Sequence, residues 1–222
     1  MSERIIIVGT GETAELAYEY FTHDSIYEVK GFAVDKEFRQ RDDLCGLPVI
    51  DTEDLAVKYP SSNFKAFVAL GAGKLNRSRR VMYLRMKSLG YSLVSYISSK
   101  AFIWRNVEFG ENCFVLENNV LQPFTKIGNN VTLWSGNHVG HRSFIGDHCF
   151  ISSHCVISGF CTIGESSFLG VNCTLEDNVV LGTDNFIGAG ALIQKNTDER
   201  SLYQRNQTEI SKVDTHRLFR LK

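Results

Sequence analysis

Residues 139–164 read VGHRSF IGDHCF ISSHCV ISGFCT IG, so that Val139, Ile145, Ile151, Ile157 and Ile163 return every six positions. The period runs on both ways. Backwards it passes through Leu133, Ile127, Leu121, Val115, Phe109 and Ile103 to Ile97; forwards it passes through Leu169, Leu175, Leu181 and Ile187 to Ile193. Four residues after these positions runs a compact series: Cys113, Asn119, Thr125, Val131, Asn137, Ser143, Cys149, Cys155, Cys161, Ser167, Cys173, Val179, Asn185 and Ala191. The pairs Phe109-Gly110, Ile127-Gly128, Ile145-Gly146, Ile163-Gly164 and Leu181-Gly182 recur every 18 residues, so three hexads make one coil. One large aliphatic and one small residue per hexad suit a triangular parallel β-helix, with a short strand on each side and a tight corner between sides. The register is expected to run without insertion from Phe109 to Ile193.

Side chains alternate faces along a strand, so the residue before each aliphatic points outward. One outward column reads Phe114, Thr132, Phe150, Phe168 and Phe186. Such an apolar stripe marks an interface, expected here with a second copy of the chain rather than with its own first half. Cys113, Cys149, Cys155, Cys161 and Cys173 belong to the inward series and read as core packing. Cys155 and Cys173 lie one coil apart and are expected to be thiols, and no Cys/His spacing suggests a metal.

The first half reads differently. Ile5-Ile6-Ile7-Val8 is a buried strand, followed by Gly9-Thr10-Gly11-Glu12-Thr13-Ala14 and a helical stretch. This GxGxxA turn lets backbone approach a phosphate at a helix N-terminus. A second strand, 27–34, ends at Asp35, placed to accept hydrogen bonds from a ribose or base. A third, 64–70, leads into Gly71-Ala72-Gly73-Lys74; Arg77, Arg79 and Arg80 after it read as a solvated helix face, and a fourth strand is expected near 93–96. About 95 residues is half a dinucleotide domain, which favours a mononucleotide over NAD. The fold class is therefore a small Rossmann-like α/β domain, 1–96, then a β-helix, 97–196, and a tail, 197–222.

The chain's 222 residues carry 24 Lys plus Arg against 25 Asp plus Glu, a formal charge of -1 that offers no basic field for nucleic acid or an anionic membrane. No apolar run is long enough to span a bilayer, and 1–8 holds no signal-peptide pattern, so a soluble cytoplasmic protein is expected. Four histidines crowd into 138–154. His138 falls on a strand pointing outward, while His141, His148 and His154 fall at corners, where a cleft beside a second prism suits an imidazole that takes up a proton.

The glycine turn, Gly31-Phe32-Ala33-Val34-Asp35 and the hexads together resemble the bacterial sugar O-acyltransferases of the sialic acid O-acetyltransferase type, which include nucleotide-sugar N-acetyltransferases. The likeness runs to about Asn196 and implies a left-handed β-helix, a homotrimer, an acceptor held by the first domain and acetyl-CoA in a groove between prisms. It also implies that His141 is the general base, with His138 beside it. Gly159, Val171, Ala189 and Lys195 fall along the acetyl-CoA groove, and His154 is placed with them. Gly9, Gly11, Thr13, Asp35, Gly71 and Lys74 fall on the nucleotide-sugar side.

Three departures stand out. Arg142 follows the base where an acid is common, Thr13 stands where the phosphate loop often has His, and Ser201-Leu202-Tyr203-Gln204-Arg205-Asn206 replaces the usual ending. The expected reaction is direct attack of a sugar amine on acetyl-CoA, since the hexad cysteines point inward, with a backbone N–H near Ser158-Gly159 as oxyanion donor. O-acetylation of sialic acid or another surface sugar, a metal hydratase on the same prism and a non-catalytic nucleotide-sugar-binding trimer are the alternatives.

Overall fold

The computed structural model describes residues 3–204 and 210–221. Arg205 and Asn206 of the altered ending lie outside them. Strands β1 (Glu3–Val8), β2 (Tyr27–Val34), β3 (Asp43–Leu44), β4 (Leu47–Asp51) and β5 (Lys65–Val68) form a sheet in the order β3-β4-β2-β1-β5. All pairs are parallel except β3 with β4. The run Ile5 to Val8 is at most 1% exposed because the sheet is covered twice. Ile5 and Ile7 pack with Ala14, Ala17 and Phe21 of α1 (Glu12–His23). Ile6 and Val8 pack with Leu55 of α2 (Leu55–Lys58) and with Tyr83 and Met86 of α3 (Arg77–Ser88). An uninterrupted β-branched run is what a strand buried on both faces requires.

The β3–β4 hairpin was not anticipated, and the strand expected near 93–96 is reduced to one bridge between Ala66 and Leu93. Tyr96–Ile97 already pairs with Phe114–Val115, so there the chain has left the sheet for the prism.

The prism has three faces. The phenylalanine face stacks seven strands from Tyr96–Ile97 to Leu202–Tyr203; the histidine face stacks six, from Phe102–Ile103 to Leu192–Ile193, with His138–Val139 among them; the third stacks five, from Glu108–Phe109 to Val180–Leu181. From Val115 to Ile193 every aliphatic of the sixfold column is at most 3% exposed, and the inward cysteines are fully covered. Sγ of Cys173 lies 3.5 Å from Sγ of Cys155, both as free thiols. The strands outlast the expected end at 196, because Leu202–Tyr203 pairs with Phe186–Ile187 after a coil of 16 residues instead of 18.

Each corner turns on a left-handed residue three positions after the aliphatic, and φ is positive at every such position from Asn112 to Gly190. Gly, Asn, Asp and His accept this conformation most easily. Each corner also carries one histidine. Asn112, Asn130, His148, Ser166 and Asp184 turn the corner between the third and phenylalanine faces; Asn118, Gly136, His154, Asn172 and Gly190 turn that between the phenylalanine and histidine faces. At the remaining corner, beside His141, the turning residues are Phe124, Arg142, Phe160 and Asn178.

The N-terminal domain folds back onto the phenylalanine face and the His148 corner, and here two expectations are corrected. Arg79, read as solvated, is 2% exposed: it donates to Thr132 Oγ1 and to the carbonyls of His148 (3.1 Å) and Cys149 (3.0 Å), with its guanidinium over the Phe150 ring. Arg77 pairs with Asp184 at 2.6 Å and Arg80 with Glu165 at 2.7 Å, so the basic helix start meets acids that the corner presents. The phenylalanine stripe, expected to face only another copy, is covered at its near end by this chain's own domain. Phe114 is buried against Tyr20, Phe67 and Tyr96. Phe150, Phe168 and Phe186 stack onward, and Phe186 is left exposed.

Candidate functional site

Two places bring together the residues singled out in the sequence. The first is a pocket of about 590 Å³ at the carboxyl ends of β1 and β2, lined by Gly9, Gly11, Asp35 and Lys74 with Phe38, Leu70, Val81 and Met82. Gly9 has φ of +133°, and a Cβ there would meet the Ala69 carbonyl at 2.6 Å, so its glycine serves the fold. Gly11 differs, since a Cβ there would meet no protein atom within 4 Å and would point into open space. It is also the N-cap of α1 and makes no side-chain cap; the Ala14 N–H donates to the Gly11 carbonyl at 2.8 Å, which leaves the Glu12 and Thr13 N–H groups to a ligand. Thr13 and Gly71 stand next to each other just behind the lining, with Thr13 Oγ1 3.7 Å from where a Gly71 Cβ would be. Asp35 is not simply solvated. Arg85 donates to its Oδ1 at 2.6 Å and Thr52 Oγ1 donates to the same oxygen, partners that sequence reading missed.

Lys74, which lines the pocket, and Leu75 and Asn76 after it are three consecutive left-handed residues. Such a run costs roughly 1–2 kcal/mol per residue. Asn76 holds it in place through 3.2 Å bonds from Nδ2 to the carbonyls of Ser166 and Ser167 on the prism.

The second place is the His141 corner. His141 is exposed, and its ring lies on Gly159 of the next coil: a Cβ there would sit 2.7 Å from Cε1 and 3.1 Å from both ring nitrogens. Phe160 meets the ring edge-on at 4.9 Å between centroids. On the coil before, Gln122 Oε1 accepts from the His141 backbone N–H at 3.0 Å and lies 3.3 Å from Nδ1. Arg142, in the place where an acid was expected, turns away to stack over Phe124 at 4.5 Å. Gln122 could have been found in the sequence only by laying out 18-residue coils, since it precedes His141 by 19 positions.

The expected oxyanion donor is corrected. The Gly159 N–H donates to Asp177 Oδ1 at 2.7 Å, Ser158 N–H to Leu175 O and Phe160 N–H to His141 O, so all three corner amides are engaged. His148 is also not a solvent-facing corner residue; it is buried in the domain interface. The residues expected along acetyl-CoA divide between two corners. Gly159 and Lys195 share the His141 corner, with Lys195 three coils on, roughly 14 Å at the usual strand spacing. Val171 and Ala189 share the His154 corner and line a groove of about 590 Å³ with Phe168, Phe186 and Leu202. His154 lies over Gly136 of the preceding coil. His138 stands half-buried between the two corners, flanked in register by Val120 and Val156. Among the described residues no three His, Cys, Asp or Glu side chains are grouped as metal ligands.

Residues 124–159 and 160–195 each match the bacterial transferase hexapeptide family (six repeats). No curated protein matches the chain by sequence. Among solved structures, PerB from Caulobacter crescentus in complex with CoA and GDP-perosamine is similar with a TM-score of 0.82 at 24% identity, covering 92% of this chain and 95% of that one. The acetyltransferase domain of PglB from Neisseria gonorrhoeae in complex with acetyl coenzyme A gives 0.82 at 22%, covering 92% and 97%. WeeI from Acinetobacter baumannii AYE gives 0.69 at 18%, covering 90% and 95%. Together with the parallel strand pairing and the sixfold core, these likenesses give the expected class, a small Rossmann-like domain followed by a left-handed β-helix. Residues 124–195 thus match the bacterial transferase hexapeptide family, on a chain whose fold is similar over 92% of its length to the solved PerB and PglB structures.

Proposed function

We propose that the chain transfers the acetyl group of acetyl-CoA to the amino group of a nucleotide-linked amino-deoxy sugar, for surface polysaccharide or glycan synthesis, with His141 as general base. The observation that carries this reading is an exposed imidazole held between Gln122 and Gly159 at a prism corner, in a chain that also has a glycine-lined pocket at a helix N-terminus. The solved complexes of similar proteins support the ligand classes, and perosamine N-acetyltransferase has been solved with the same two ligands after one histidine was changed to Asn or Ala.

In this reading residues 1–96 hold the acceptor. Gly9, Gly11, Thr13, Gly71 and Lys74 take its diphosphate and Asp35 its ribose or base. Residues 97–196 hold acetyl-CoA along His154, Gly159, Val171, Ala189 and Lys195, and 197–222 form a tail. The acceptor nitrogen attacks the thioester carbon while His141 removes its proton; the C–S bond then breaks, and coenzyme A leaves as a thiolate that takes up a proton. His138 contacts the acceptor. Within one chain the pocket is tied to the His148 corner by Asn76 and Arg77, and the third face separates that corner from His141. A homotrimer, in which one copy's pocket faces another's His141 corner, brings the two halves together in the cytoplasm, where acetyl-CoA is at hand.

Thiol release from acetyl-CoA, measured with a panel of nucleotide-linked amino sugars and hydroxy sugars, tests the proposal. Turnover is expected with a nucleotide-linked amine. Turnover with sialic acid alone moves the assignment to O-acetylation, and release with no acceptor in the panel overturns it.

A further inference from the structure

We infer that Gln122 is the positioning residue for His141, its amide oxygen holding the imidazole proton on Nδ1 so that Nε2 is the atom that takes the acceptor's proton; this rests on His141 being the general base. A backbone N–H can only donate, and that of His141 points at the Gln122 side chain at 3.0 Å, so the atom facing it is the amide oxygen. The same oxygen lies 3.3 Å from His141 Nδ1. Two acceptors would not share that contact, so Nδ1 carries the proton and the Nε2 lone pair is open. Gly159 and Phe160 then hold the ring plane from the next coil without offering either nitrogen an acceptor.

The amide does the orienting work of a carboxylate without its charge. On the coils that touch the ring, Gln122, Pro123, Phe124, Gly159 and Phe160 are all uncharged, and Arg142, the next residue in sequence, has its guanidinium over the Phe124 ring. Asp177, one coil farther on, is occupied by the Gly159 N–H. A carboxylate beside Nδ1 would favour the imidazolium and withdraw the base at low pH; an amide avoids this and still fixes the tautomer.

The experiment uses the full chain, labelled with ¹⁵N at histidine, together with kinetics of acetyl transfer. In the wild type His141 is expected to show the Nδ1–H tautomer, and Gln122→Leu should shift it towards Nε2–H. The same variant should lower kcat roughly 10- to 100-fold, by analogy with the loss when a partner that orients a metal-bound histidine is removed, with both KM values within about twofold. Gln122→Glu should restore the tautomer and much of kcat at high pH while moving the acid limb of the pH profile up by about one unit. An Nε2–H tautomer in the wild type, or a Gln122→Leu protein with unchanged tautomer and kcat, overturns the inference. If the tautomers behave as stated but His141→Ala keeps full activity, the assignment of the base fails and the hydrogen bond stands.

Discussion

His141 and His138 stand on neighbouring positions of the prism, but only His141 has its ring laid on a glycine and its backbone N–H taken by a side chain of the preceding coil. Replacing His141 with alanine should lower kcat roughly 10²- to 10⁴-fold with little change in either KM, and the acid limb of the rate profile should vanish with it. His138→Ala should act through the acceptor's KM; the reverse pattern, with His138 essential and His141 dispensable, removes the assignment. Gly11→Val should abolish binding of the nucleotide-linked acceptor, because the added carbons project into the space open at the α1 N-terminus, while acetyl-CoA binding persists. Calorimetry with each ligand decides it, and equal loss of both points to misfolding. His141, Gly11 and Asp35 were legible because a periodic frame or a strand end gave each an address. Arg79 was not, since a basic residue at a helix start reads as wet unless a second domain is known to cover it. Nor were Phe124 and Phe160, whose bulky side chains in left-handed turns contradict local preference.

A relay of amides joins the two domains. The Val68 N–H of β5 donates to Asn112 Oδ1 at 2.7 Å, Asn112 Nδ2 donates to Asn130 Oδ1 at 2.8 Å, and Asn130 Nδ2 meets His148 Nδ1 at 2.9 Å. Because the first donor is a backbone N–H, each amide in turn is oriented, and His148 Nδ1 must accept. Protonating it would set two donors against each other. Burial, with the guanidiniums of Arg80, Arg79 and Arg77 close by, pushes the His148 pKa down to about 4. The unfolded chain takes up that proton near the ordinary value of about 6.5. Stability is therefore full above that value and falls as pH drops towards 4, by an amount on the order of 3 kcal/mol. His148→Asn would continue the asparagine column and should flatten denaturation midpoints between pH 6.5 and 4; an unchanged acid slope would place the sensitivity elsewhere. The elements themselves were mostly legible, since the sixfold register is unbroken from Phe109 to Ile193. The β3–β4 hairpin escaped because Asp43–Leu44 is too short to show alternation, and the final coil because its 16 residues leave the period.

For the whole molecule the decisive quantity is mass in solution. Phe150 lies beneath Arg79, so a charge there would disturb the chain's own domain contact; Phe186 is 38% exposed at the far end of the stripe and is the better probe of assembly. Burying a Phe contributes about 1.5–3 kcal/mol, so Phe186→Asp should convert the expected trimer to smaller species by light scattering, with a circular dichroism spectrum like the wild type's. A trimer of unchanged stability would put the contact on another face. The fold-back of the N-terminal domain also sets a timetable for synthesis. Its loop is secured by the Asn76 bond to Ser166 and the Arg77 bond to Asp184, which join residues 90 and 107 positions apart. At about 5–20 residues per second, the first domain leaves the ribosome roughly 5–20 s before those partners exist. Arg79 waits for Thr132, His148 and Cys149, 53 to 70 positions on, and the strained Lys74–Asn76 loop waits longer, for Ser166, so a stalled or truncated chain ending before Thr132 would display a docking surface for chaperones or proteases that the finished molecule hides.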